Sequence, residues 1–592
     1  MKKFYLIPAF ALALTSCNSD LDNQMGQNEN SNEKTDQNYI SLNIVTATPN
    51  SRDAGNAANY EDGIGNENTV NVVRLYFFDQ AGDPFVVNVN GTTNYSYVTA
   101  SVQVTPDETD PNVEKVIATG ALSIAQDNYP SQVIAVINPD TQLADMNMAA
   151  LSDVQGAAVN INGVTNNFNT VDPATFVMSN SVYASNQTPA QKIEAVTVTD
   201  LDFYPEESAA QAHPVTIYVE RVVGKVALTS ALPVATGVTG TLYETGGTYN
   251  NQPVYVKFLG WNVTSVANSS YLMKNINPGW PDTLFGQNSN QPWNYPSFFR
   301  SFWAVNPAGV GYDYFNFGFA PNDEGSFVNA NDPTAANGIT GFTVPSTSEG
   351  SQDPVNYTYI QENAAQDYAT GAGTNHPSQV IVAAQLCDAY GNPLTFAQWG
   401  SGQYTVEGLK NQFLTAISSS LHPYKKISQN GVTTYAAISA QDIDFATAMS
   451  LDPDLADWET KGRYYVYAQL TPEAAAAEWV NGDNDQATTI DTTTINNELE
   501  LFGHVKIWNN GYTYYYFDIR HLGADNCPGY YGIVRNHIYK CNVTELTGLG
   551  TPVYDPTETI YPEKPLDEDT FIAAQINILS WRIVSQDVKF AW

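Results

Sequence analysis

The chain has 592 residues, enough for roughly two to four domains that each bury a core. Charged residues make up only 14%, yet acids outnumber bases 61 to 24, for a net charge of −37. That balance excludes a surface built to neutralise nucleic-acid phosphates and disfavours anionic lipid. It suits a soluble exterior that resists non-specific clumping. The 36 Tyr, 25 Phe and 10 Trp, with abundant Val, Thr, Asn and Gly, are a strand-and-turn composition.

Lys2 and Lys3 precede an apolar run from Phe4 to Leu14, which has the length of a signal peptide and is too short to span a bilayer. It ends Leu14-Thr15-Ser16-Cys17, which resembles the bacterial lipobox, with cleavage before a lipidated Cys17. The several acyl chains on such a cysteine anchor stably. Asn18 to Asn38 is Asn-, Gln-, Asp- and Glu-rich with little to bury, and reads as a flexible tether. No later run approaches the roughly 18 apolar residues of a spanning helix. A lipidated precursor on the outer membrane is the expectation.

Ile40, Leu42 and Ile44 alternate with Ser41 and Asn43, which predicts one half-buried strand. The loop Pro49 to Gly55 follows, and its Arg52 is the first arginine of the chain, open to a trypsin-like protease. Strands are predicted at Val70 to Asp79, Ser96 to Val104, Lys115 to Leu122 and Gln132 to Ile137, each bounded by turn residues. A boundary is placed near His213-Pro214, and Val215 to Leu228 reads as a long opening strand of a second domain.

Val254 to Val263 is another strand, whereas residues 265 to 375 have weak periodicity and read as long decorated loops. Strands return at Gln379 to Gln385, Tyr464 to Leu470, His504 to Ile507 and Tyr512 to Ile519. Leu409 to Ser418 and Pro472 to Trp479 are short helix candidates. Such a succession favours antiparallel sandwiches over alternating helix and strand.

Several segments together resemble the fimbrillins of Bacteroidetes-type (type V) pili, in particular the larger minor-fimbria (Mfa-like) branch. They are the lipobox at Cys17, the loop at Arg52, Val72 to Asp79, Val219 to Val226, and Gly260-Trp261. Most specific is the C-terminal block Tyr515 to His521, Gly532 to Tyr539 and Gln575 to Trp581. The sequence departs from the family's pattern in having Asp53 after the arginine.

The resemblance implies an all-β protein of two tandem transthyretin-like Greek-key β-sandwich domains with long decorated loops and a few short helices. Its expected segments are a signal peptide at 1–16, a lipidated tether and removable first strand at 17–52, an N-terminal sandwich at 53–213, and a C-terminal sandwich at 214–592. It also implies an assembly route. An arginine-specific protease cuts between Arg52 and Asp53, the strand bearing Ile40, Leu42 and Ile44 leaves, and the C-terminal strand of another copy fills the groove.

The donated piece would lie near 584–592, where Val584, Val588, Phe590 and Trp592 share one face with Gln586, while Ser585, Asp587 and Lys589 share the other. The plainer reading of that segment is an edge strand of its own domain. The partners so implied are further copies of the chain, accessory anchor and tip pilins, the maturation protease and unidentified host proteins or glycans. No nucleic acid, cofactor or metal is expected, and the place is the outer membrane and then the fimbrium. Two rivals carry weight from composition: a surface glycan-binding lipoprotein of a nutrient-uptake system, its aromatic-rich 265–375 region stacking on sugars, and, less so, a secreted glycosidase.

His213, His376, His422, His504, His521 and His537 show no metal-ligand spacing and read as structural. Asp452 to Asp457 and Asn481 to Asp485 carry enough oxygen for calcium but lack the EF-hand pattern, and read as solvated turns. Cys527 and Cys541 flank a segment with hairpin-like ends and form the candidate disulfide, with Cys387 left over. Three cysteines still allow three pairs. No phosphate loop, nucleophile elbow or zinc-binding helix is present in the sequence.

Overall fold

The computed structural model of the chain describes residues 36–46, 67, 69–89, 92–106, 114–124, 128–139, 146–160, 176–181, 183–184, 192–276, 304–313, 357–364, 377–419, 421–447, 465–521, 531–557, 560, 571–579 and 584–586. Within them the chain is predominantly β, with a few short helices.

The first unit is made of β1 (Asp36–Thr46), β2 (Val73–Phe78), β3 (Tyr97–Pro106), β4 (Glu114–Ile124), β5 (Gln132–Ile137), β6 (Met178–Asn180) and β7 (Val215–Arg221). Hydrogen-bonded pairing runs through β1, β7, β6, β5, β2, β3, β4 and back to β1, so these seven strands close on themselves. Closure removes the open edges that a two-sheet sandwich would leave. The inward faces of β2 and β5, with Leu75 and Phe77 opposite Ala135 and Val133, are fully buried, as β-branched and aromatic runs are when both sides are covered.

The second unit is a two-sheet sandwich. One sheet orders β11 (Tyr357–Gln361), β8 (Val223–Ser230), β14 (Ile538–Thr547), β16 (Phe571–Leu579) and β17 (Val584–Gln586). The other orders β9 (Tyr243–Tyr249), β10 (Gln252–Thr264), β12 (Gln379–Cys387), β13 (Tyr512–Asp518) and β15 (Thr551–Pro552). Val226, Leu228, Tyr539 and Val543 of the first sheet meet Val256, Trp261, Val382 and Phe517 of the second in one core.

Sheet membership shifts the expected boundary. The run Val215 to Leu228 is two strands, and the first of them belongs to the first unit: β7 pairs with β1 and β6, while β8 pairs with β11 and β14. The break is at Val222, whose N–H donates to the Val177 carbonyl at 3.2 Å. Both halves are β-rich and apolar, so periodicity carries no mark of the change of sheet. The region expected as loops also contains structure. β11 is an integral strand, and Ser269–Tyr271 pairs with Ala158–Asn160 of the first unit.

Between β12 and β13 a mixed module is inserted. Its two longer helices are α1 (Val406–Ile417) and α2 (Thr492–Glu500), and a single turn lies at Pro472–Ala475. Thr405 and Asp491 cap them, accepting from the Gly408 and Thr493 amides at 3.0 Å each. Leu409, Phe413 and Ile417 at four-residue spacing face a core shared with Phe445, Trp479, Ile495 and Leu499. Every buried member of that core lies between Ala397 and Ile507. The hairpin Pro423–Gln429 to Val432–Ala437 turns on Asn430 and Gly431, with φ of 50° and 78°, the left-handed pair a two-residue turn requires.

Candidate functional site

β1 is held on both sides. It runs antiparallel to β4, with Ile40 opposite Gly120, Leu42 opposite Ala118 and Ile44 opposite Val116. It runs parallel to β7, from Leu42 beside Val215 to Thr46 beside Val219. Ile40, Leu42 and Ile44 are 0%, 0% and 2% exposed, as their alternation predicts. Burying three such side chains is worth about 5–9 kcal/mol in all.

Polar contacts fix the register. The Ser41 and Thr119 hydroxyls lie 2.9 Å apart, and the Tyr39 and Tyr204 backbones exchange N–H···O bonds of 2.7 and 2.8 Å. Gly120 is small for a reason: a Cβ there would stand 2.7 Å from Val98 Cγ2 and 3.1 Å from Leu75 Cδ1, in the layer beneath Ile40. Take β1 away and an apolar slot is left, walled by the backbone edges of β4 and β7.

At the other end of the chain, β17 folds back antiparallel on β16, Val584 opposite Ile578 and Gln586 opposite Ile576. It is the outermost strand of its sheet and is paired on one side. Its short ladder is the edge-strand arrangement weighed above. Val588, Phe590 and Trp592 lie outside the described residues, as do Cys17, Arg52 and Asp53.

The two units meet through buried ions. Glu67 Oε1 accepts from Lys225 Nζ and from the Tyr359 hydroxyl, at 2.6 Å each, and the Glu67 carbonyl accepts from Arg221 Nε at 2.7 Å. Arg221 Nη1 donates to Asn536 Oδ1 at 3.0 Å. Arg535 pairs with Glu362 through Nε at 2.9 Å and Nη2 at 2.8 Å, and its Nη1 donates to the Leu272 carbonyl at 2.7 Å. Lys274 Nζ lies 3.6 Å from Glu220 Oε2.

All these side chains are nearly inaccessible, so each charge depends on its partner; removing one partner of such a pair costs about 3–5 kcal/mol. The sequence pattern assigns no role to the three acids Glu67, Glu220 and Glu362, although Glu220 lies in the run from Val219 to Val226. The available signal was charge inside apolar runs, as in Val219-Glu220-Arg221-Val222 and Val534-Arg535-Asn536-His537-Ile538.

The remaining candidates fall into place singly. His521 Nδ1 lies 2.9 Å from the Tyr539 hydroxyl, which accepts from the Val534 amide at 2.8 Å. His537 Nδ1 meets the Arg535 carbonyl at 2.7 Å. Both rings are buried and hydrogen-bonded, and they share no metal-binding cluster among the described residues. Within Asn481 to Asp485, the Asp485 carboxylate accepts from the Tyr435 hydroxyl at 2.8 Å; Asp452 to Asp457 lies outside the described residues. Cys541 is buried in β14, where desolvation pushes its thiol far up. Cys527 lies outside the described residues. No described helix is long and apolar enough to cross a membrane.

Residues 506–587 match the family described as "Major fimbrial subunit protein type IV, Fimbrillin, C-terminal". That stretch contains β13, β14, β16 and β17, and with them Arg535, Asn536 and the edge hairpin at the C-terminal end. No curated protein matches the chain. A solved chain from Bacteroides eggerthii, assigned to cell adhesion, is similar over 92% of this chain and 96% of that one, at 11% identity and a TM-score of 0.33.

Proposed function

We propose that this fimbrillin-like chain is a structural subunit of a cell-surface fimbria that serves adhesion, made as a lipoprotein precursor and polymerised by strand exchange. In this reading Cys17 is lipidated, the chain is cut between Arg52 and Asp53, and β1 leaves the first unit. The C-terminal segment of a second copy, bearing Val584, Val588, Phe590 and Trp592, then fills the slot. The Mfa-like branch and the transthyretin-like connectivity of both units belong to the same proposal, as do the maturation protease and the anchor and tip partners.

One observation carries it: β1, the first described strand, is shared between two neighbours, so its loss opens a ring that is otherwise closed. The C-terminal fimbrillin match supports it from the other end of the chain. A slot flanked by two unpaired edges gains a full set of backbone hydrogen bonds from any extended segment, and its apolar floor selects one with alternate apolar side chains. The work is done by surfaces, with no chemical step.

Trypsin-like treatment of the purified precursor should cut after Arg52 and then yield ladders on gels and fibres in the electron microscope. Deleting residues 584–592 should leave a folded monomer that no longer polymerises. Normal fibres from an Arg52→Ala chain would defeat the assignment.

A further inference from the structure

We infer that the second unit braces one wall of the β1 slot, so that the slot keeps its width when β1 is absent. The wall is β7. Of the two walls it is the one whose chain passes directly into the second unit, through Val222. Its last two residues are gripped from that side: Glu220 by Lys274, and Arg221 by Asn536. Asn536 is bound in turn to the second unit's own first strand, its N–H donating to the Val223 carbonyl at 2.7 Å.

The strand behind the wall is held too. Ser179 of β6 donates through Oγ to the Leu272 carbonyl at 2.8 Å, and Arg535 binds that same carbonyl. Leu272, Met273, Tyr359 and Ile538, which come from beyond Val222, are buried members of the first unit's core.

The bracing is lopsided. β4, the opposite wall, pairs within its own unit with β3 and β1. Without β1, β4 still leans on β3 from Glu114 to Thr119, and Ser123 pairs with Asn88 beyond that. β7 keeps its pairs with β6 from Val219 to Arg221 and the Ser181 N–H on the Tyr218 carbonyl at 2.8 Å, whereas Val215 to Ile217 is laddered to β1. A strand half stripped of partners frays unless something outside the ladder holds it. The ionic seam and the shared core do so. Glu67 adds a pin on the sequence just after the proposed cleavage loop: its backbone and carboxylate tie it to Arg221, Lys225 and Tyr359. Chain downstream of that pin stays in place when the chain upstream is lost.

That a slot forms at all rests on the proposed loss of β1; the grip on β7 does not, and the test separates the two. Hydrogen exchange read by mass spectrometry is compared for the full chain before and after trypsin-like cleavage, in wild type, Asn536→Gly and Asn536→Asp. Asn536 has φ of 56°, so glycine removes the acceptor without backbone strain, and aspartate keeps it.

Asn536→Gly should speed exchange in Val215–Arg221 by about tenfold or more, the more so after cleavage, while β3 and β4 stay as in wild type. Asn536→Asp should behave as wild type. Should Asn536→Gly fail to fold, Ser179→Ala loosens the strand behind the wall by one hydrogen bond and should speed exchange in Val215–Arg221 by less. Unchanged exchange in Val215–Arg221, whether or not residues 532–547 loosen, overturns the brace. Failure to cut at Arg52 overturns the fimbrial reading and leaves the comparison on the uncut chain to decide the brace.

Discussion

Both units set an early strand parallel to a later one: β1 beside β7 in the first, β8 beside β14 in the second. In the first unit that strand has a second partner in β4, and the sheet closes. In the second, β8 has β11 on its other side, and the sheet ends there and at β17. β8 is tied into the chain at both ends, whereas β1 begins the described part of the molecule. Under the proposed exchange, the difference teaches where a fold would store a replaceable part: at an early strand that completes hydrogen bonding on two sides. The same position in mid-chain is simply core.

The comparison breaks most visibly at β1 itself. Ile40→Ala, Leu42→Ala and Ile44→Ala should each cost about 2–5 kcal/mol, read from thermal unfolding. The triple variant should release the first unit's transition from that of the whole chain. Next in size is the joint. Arg535→Met, which leaves the Glu362 carboxylate buried without its cation, should cost about 3–5 kcal/mol in denaturant unfolding, and adding Glu362→Met should recover much of it. Equal losses in the single and double variants would show that the pair's charge is not what matters there.

Gly120→Val should cost about 1–3 kcal/mol by overpacking against Val98 and Leu75. The loss should be larger with β1 in place than after β1 has been removed, since Ile40 lies over the same spot. The smallest effect belongs to the second unit. Burial pushes the Cys387 thiol up to about 11 from its ordinary 9.0. The neutral thiol is the folded form, so its contribution is whole below about pH 9 and fades as the pH rises through about 11. Between those pH values wild type should lose stability faster than Cys387→Ala; parallel curves would show that the thiol does not titrate with folding.

Much of this was legible beforehand, for a local reason. Period-two alternation marks any strand with one face buried, so Ile40, Leu42 and Ile44 announced β1, and Gln132–Ile137 was bounded to the residue. α1 was read from its four-residue apolar spacing. α2 was missed, because only Ile495 and Leu499 mark its buried face among polar neighbours.

What local pattern does not carry is partnership. Nothing in Asp36–Thr46 says that its neighbours lie some eighty and one hundred and eighty residues on, at Glu114–Ile124 and Val215–Arg221. The ionic joint was hidden for the same reason: Glu67 meets Lys225 and Tyr359 across 158 and 292 residues. The terminal segment showed its alternating face but not where it docks, since an edge strand and a donated strand carry the same pattern.

The module between β12 and β13 leaves and rejoins the sandwich at one spot. Phe396 pairs with Trp508 across its root, and their rings stack at 4.7 Å with Tyr249 against Phe396 at 4.5 Å. With a core of its own above that aromatic hinge-plate, the module is a graft rather than a beam of the building. Lineages could rewrite it, lengthen it or trade it for another while the sandwich beneath went on folding as before. That makes it the part of the described surface where sequence change would cost the scaffold least.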